Sequence, residues 1–139
     1  MTFHDLPDNF RDLPLDDSIL RADAVDLFVS YADRDLGCLA LIALDEQHRV
    51  TAPIVITEMG AGQPDGIRHA LRTIGAQLEL RGLVAAIGRH GSPLFTDNDR
   101  ACHQAIVDVC RELGVDLLGT YIALGSGVRE LPDHLRMAS

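Results

Sequence analysis

Short apolar runs alternate with amphipathic segments along this chain, and that alternation limits its fold more than any other feature. Cys38–Leu44 and Leu83–Ile87 are nearly unbroken apolar runs bounded by polar residues. Runs of that length read as buried strands. Val50–Thr57 and Val115–Leu124 supply two more strands, and Val128–Leu131 a short last one. The polar turn Asp45-Glu46-Gln47-His48 joins the first two, which predicts a β-hairpin. Pro53 falls inside the second strand. A proline cannot donate to a ladder, so this strand belongs at an edge or a bulge.

Between the strands the apolar period changes from two to about 3.6. Leu20, Ala24, Leu27, Phe28 and Tyr31 share one face behind the capping residues Asp16 and Asp17, which predicts a first helix ended by Asp33–Gly37. Ile67, Ala70, Leu71, Ile74 and Leu78 mark a second helix. A third runs from about Asp97 to Leu113, with Gly114 as its stop. The order α-β-β-α-β-α-β-β predicts an α/β (α+β) domain, with a single mixed β-sheet flanked by helices. Residues 16–132 form that domain. Residues 1–15 read as an N-terminal arm in which Asp5-Leu6-Pro7 recurs as Asp12-Leu13-Pro14, and residues 133–139 as a polar tail. The arm carries Phe3, Leu6, Phe10 and Leu13, which could dock on this or a neighbouring subunit.

Of the 139 residues, 47% are apolar, which excludes a disordered chain. Aromatics are 4% and Trp is absent, so the core is aliphatic. No apolar stretch is long enough to span a bilayer, and the N-terminus lacks a basic-then-apolar leader, so a cytoplasmic location without a membrane partner is expected. The net charge of −9 disfavours nucleic acid, whose binding rests on neutralising phosphates. Arg68, Arg72, Arg81 and Arg89 form either a small basic patch or a solvated face. Cys38, Cys102 and Cys110 are odd in number without C-x-x-C spacing, which argues against disulfides and a thiolate zinc site. Cys102 shares a helical stripe with Ile106, Val109 and Leu113 and reads as a small apolar side chain.

Chemistry concentrates after the Leu83–Ile87 strand, in Gly88-Arg89-His90-Gly91-Ser92-Pro93 followed by Thr96-Asp97-Asn98-Asp99. Asp99 is either a metal ligand or half of a capping box with Thr96. Asp99 and His103 are four apart on a helix and share a face, so with His90 they could form a His/Asp/His metal set. Asp35 or Glu58 would then have to take the proton. Gly60-x-Gly62-x-x-x-Gly66 lies between a strand and a helix and suggests either a turn or an anion-binding loop. Pro64 removes an amide there and Asp65 adds the wrong charge. Ser92 beside His90 lacks the G-x-S-x-G elbow of a serine hydrolase.

The element order and local strings resemble the JAB/MPN (JAMM) domain, most closely its RadC-like branch. Leu44-Asp45-Glu46-Gln47-His48-Arg49 is similar to that branch's Leu-Asp-x-x-x-Arg turn, and Leu117–Gly125 to its Leu-Leu-Asp-His strand. The resemblance covers roughly residues 36–131 and implies a zinc hydrolase scaffold. A His-x-His pair, an aspartate and a glutamate would carry its chemistry. The first histidine falls on Gly88, the second on His90, the aspartate on Asp99, the glutamate near Gly37 with Asp35 closest, and the late histidine near Thr120. Actinobacterial domains of unassigned function show the same element order.

The expectation is a catalytically degenerate RadC-like domain, without a cofactor, that acts as a binding or assembly module and self-associates or meets a protein partner. One alternative is a zinc-dependent hydrolase using His90, Asp99 and His103. Another is a small-ligand or nucleotide-binding domain using the Gly60–Gly66 loop.

Overall fold

The apolar runs become β1 (Cys38–Leu44), β2 (Val50–Ile56), β3 (Gly82–Gly88), β4 (Asp116–Leu124) and β5 (Gly127–Glu130) in a computed structural model that describes residues 13–57 and 62–132. The helices are α1 (Ser18–Phe28), α2 (Tyr31–Leu36), α3 (Pro64–Gln77) and α4 (Asp97–Leu113). One mixed sheet runs in the order β2-β1-β3-β4-β5. β3 and β4 are parallel, and the other neighbours are antiparallel.

Side chains alternate across the sheet with period two, as strand geometry requires. Leu39, Leu41, Leu83, Ala85 and Ile87 pack on one face against Ile67, Leu71, Cys102, Ile106 and Val109 of α3 and α4. Ala40, Ile42, Val84, Ala86 and Tyr121 pack on the other against Leu15 and α1 residues Ala24 and Val25. The expected mixed α/β sheet flanked by helices is therefore the observed class. β2 lies at the edge with Pro53 opposite Ile42, while the irregularity in that hairpin falls between Ala43 and Leu44.

The first helix departs from expectation, because the chain breaks it into α1 and α2. Val29 is extended (φ −106°, ψ 104°), and the Ser30 side chain accepts from the Asp33 amide at 3.1 Å to start α2. The break lets Arg34 turn inward, where it is fully buried. Its Nε donates to the Val29 carbonyl at 3.0 Å and Nη1 to the Leu124 carbonyl at 3.0 Å. Nη2 donates to Asp26, to the carbonyl at 3.1 Å and the carboxylate at 2.9 Å. Tyr31 was expected on the apolar face. It is 57% exposed instead, and Arg34 lies over its ring at 4.5 Å. Val25 and Val29 take the buried positions.

Leu15, at the end of the expected arm, is fully buried, and its amide donates to the His48 carbonyl. Residues 1–12 and 133–139 lie outside the described residues. His48 closes the hairpin with φ 65°, a left-handed conformation that favours glycine or asparagine. Its ring meets Asp16 through Nδ1 and Asp116 through Nε2, the latter at 2.8 Å. Among the described residues no helix is long and apolar enough to cross a membrane.

Removing one partner of a buried ion pair leaves an uncompensated charge. Arg34→Met is therefore expected to lower unfolding free energy by about 3–5 kcal/mol, read by urea denaturation. A second expectation concerns pH. Hydrogen bonding to Asp16 is the main cause that raises the His48 pKa; partial burial opposes it and Asp116 adds to it. A raised folded pKa means the contribution is complete below about pH 6.5 and fades as pH rises through the folded value. Asp16 and Asp116 are mostly exposed, so the term is below ~1 kcal/mol. Stability of His48→Gln measured across pH 5–9 should lack this slope.

Candidate functional site

β3 delivers Gly88 to the end of the sheet, and the Arg89 amide then donates to the Ala123 carbonyl at 3.2 Å. The Arg89 guanidinium folds back over its own loop. Nε donates to Asp99 Oδ1 at 3.0 Å and Nη2 to Asp99 Oδ2 at 2.8 Å, a bidentate fork. Its nitrogens also reach the carbonyls of His90, Ser92 and Leu94. Asp99 accepts from the Thr96 amide at 2.9 Å, and the Thr96 hydroxyl accepts from the Asp99 amide at 3.0 Å. This is a capping box at the start of α4. Burial alone would raise the Asp99 pKa, but the Arg89 and Thr96 hydrogen bonds outweigh it and hold it below the ordinary range. Asp99 is 1% exposed, and both its oxygens are occupied.

The other expected site residues are dispersed. His90 is exposed in the loop, and Asp35 is exposed on α2. Glu58 lies outside the described residues. His103 is buried on α4. Among the described residues no three His, Cys, Asp or Glu side chains come together to hold a metal, so His90, Asp99 and His103 are not assembled as a ligand set. Gly88, where the JAMM resemblance places the first histidine, has no room for a side chain. A Cβ there would lie 2.5 Å from Cys38 Sγ and 3.2 Å from the Arg34 Cα. The residues present do not fit the zinc of that resemblance.

The glycine-rich segment is also committed. Gly62 carbonyl accepts from Asn98 at 2.8 Å and from the Cys102 thiol at 3.4 Å, while Gly66 already lies inside α3. Asp65 sits in the first turn of α3 and pairs with Arg68. The basic residues considered for a patch are each paired: Arg68 with Asp65, Arg72 with Glu112, Arg81 with Glu79, and Arg89 with Asp99. All three cysteines are buried. Burial pushes the Cys102 thiol up to about 11 and Cys110 to about 12, so both stay protonated and pack as apolar groups.

A cavity of about 240 Å³ opens elsewhere, between α4 and the first half of β4. It follows from the sheet's geometry. β5 pairs only with Tyr121–Leu124, so among the described residues the earlier part of β4 has no strand on that side. The β3–β4 register also slips between Leu117 and Gly119. Arg21 from α1, His103 and Arg111 from α4, Thr120 from β4 and Glu130 from β5 supply its polar wall. Val107, Val115, Leu117, Leu118 and Leu131 supply its apolar wall. Arg21 is anchored by bonds to the Tyr121 hydroxyl at 3.0 Å and to the Leu15 and Asp16 carbonyls. The Tyr121 hydroxyl donates on to Glu130 at 3.2 Å. Burial pushes the Tyr121 pKa up to about 12.

Compared with known proteins, the chain matches no family model, no curated protein and no solved structure.

The clamp can be tested by a double-mutant cycle. Asp99→Ala is expected to cost about 3 kcal/mol of stability, and Arg89→Met a similar amount. The double variant should cost less than the sum by at least ~1 kcal/mol in urea denaturation. Simple additivity would mean that the pair is not coupled.

Proposed function

We propose that this chain is a binding and assembly module on a RadC-like JAMM scaffold, whose hydrolytic centre is replaced by a structural clamp. The bidentate Arg89–Asp99 pair carries the reading. A catalytic zinc needs three protein ligands and an open fourth position that generates a nucleophilic water. Asp99 accepts three hydrogen bonds, from Arg89 and the Thr96 amide, and its charge is already matched by a guanidinium, which disfavours a cation there. His90, exposed on the loop, is then one imidazole without companions. The Gly60–Gly66 alternative draws less support, since Gly62 and Asp65 are tied to α4 and Arg68.

Self-association belongs to the same proposal. Ile19, Tyr31 and Leu36 leave α1 and α2 with exposed apolar side chains, and the sequence before Leu13 carries the apolar residues Phe3, Leu6 and Phe10. A closed two-fold would use the same patch on both copies.

Metal analysis tests the central point. Protein purified from zinc-supplemented cells should hold far less than one zinc per chain, with no change in His90→Ala. Stoichiometric zinc that disappears in His90→Ala would overturn the proposal.

A further inference from the structure

We propose that the cavity between α4 and β4 binds a small organic monocarboxylate with an apolar body. This rests on reading the chain as a binding module and names what the module takes. The chain carries a net charge of −9, yet the cavity sets two guanidinium groups, Arg21 and Arg111, and the His103 imidazole against one carboxylate, Glu130. The Arg111 side chain makes no hydrogen bond or ion pair among the described residues. A planar guanidinium left unpaired at a cavity wall suits a carboxylate, which it can grip through two parallel bonds.

Thr120 supplies a second, independent observation. It lines the cavity, is fully buried, and its hydroxyl has no hydrogen-bond partner among the described residues. A buried hydroxyl without a partner costs folding free energy, and a ligand oxygen would recover it. The Leu117, Leu118 and Val107 side of the wall offers nothing to a polar ion but fits a hydrocarbon body. At the ~30 Å³ that a water molecule occupies in the liquid, the cavity holds on the order of eight water-sized groups. Benzoate, phenylacetate and 4-methylpentanoate have this size and character; inorganic phosphate has the charge without the body.

Calorimetric titration and thermal unfolding of the full chain with these four probes decide the matter. At least one carboxylate should bind saturably and raise Tm by a few degrees, because a ligand of the native state alone stabilises it. Phosphate should bind more weakly than the best carboxylate. Arg111→Gln should weaken carboxylate binding about tenfold or more while leaving the unliganded Tm unchanged. Thr120→Val should do the same to binding while leaving the unliganded Tm equal or higher, a split that a purely structural hydroxyl would not give. The proposal is overturned if no carboxylate binds saturably, if phosphate binds as well as the carboxylates, or if both variants bind like the parent chain. Metal analysis of the same sample separates two failures. A zinc-free chain that ignores the carboxylates overturns the cavity assignment alone, whereas stoichiometric zinc overturns the reading beneath it.

Discussion

The buried Arg34 guanidinium is the constraint on which the surrounding structure depends. Taking such a charge out of water costs several kcal/mol, so the fold must return a partner for the guanidinium in the interior. Asp26 neutralises the charge, and the carbonyls of Asp26, Val29 and Leu124 accept the remaining donors. These partners come from α1, the α1–α2 junction and the last residue of β4. Their positions fix how α1 and α2 pack on the sheet. They also draw α2 close to the end of β3, where a Cβ on Gly88 would press on Arg34 and Cys38. The absence of a side chain at 88 is thus a packing consequence first of the Cys38 thiol and then of the α2 backbone at Arg34.

The same end of the sheet holds a second arginine–carboxylate unit. The Arg89 amide bonds Ala123 while Arg34 bonds Leu124, so both clamps converge on the carboxyl end of β4. In α/β sheets that end, outside the parallel strands, is where ligands usually bind. Here Arg89 and Asp99 occupy it, bound to each other and to the loop backbone. The open space lies at the amino end of β4, where β5 has not begun to pair and the β3–β4 register slips by one residue. Two filled interactions at one end and a gap at the other place the cavity off the usual crevice.

Local signals in the sequence were good guides wherever one element settled the outcome. Apolar runs gave β1 and β3, Pro53 marked the edge strand, and Thr96-x-x-Asp99 was one of two readings that the capping box now decides. The helix break at Val29–Ser30 was not legible, because Leu20, Ala24, Phe28 and Tyr31 continue a helical stripe across it. Burying Arg34 overrides that stripe, and no local rule predicts an arginine in a core. Arg89 was hidden for a similar reason: its partner is ten residues away, across a loop. The cavity draws on α1, α4, β4 and β5 at once, so only the assembled register reveals it. Thr120 stood out only as the strand position near which the JAMM resemblance places its late histidine.

Thr120 is also where stability and the proposed ligand binding separate most cleanly. A valine would fill nearly the same volume without burying a hydroxyl, and it favours a strand at least as well. An unmatched buried hydroxyl costs about 1–3 kcal/mol, a substantial fraction of the 5–15 kcal/mol that holds a domain together. Folding alone does not account for threonine at this position. The neighbouring polar groups point the same way. Tyr121, one residue on, has its hydroxyl matched on both sides by Arg21 and Glu130, although it too is buried. A fold that satisfies Tyr121 while leaving Thr120 open has treated adjacent residues differently. The difference falls on the residue that lines the cavity, where the proposed carboxylate would supply the partner that the described residues do not.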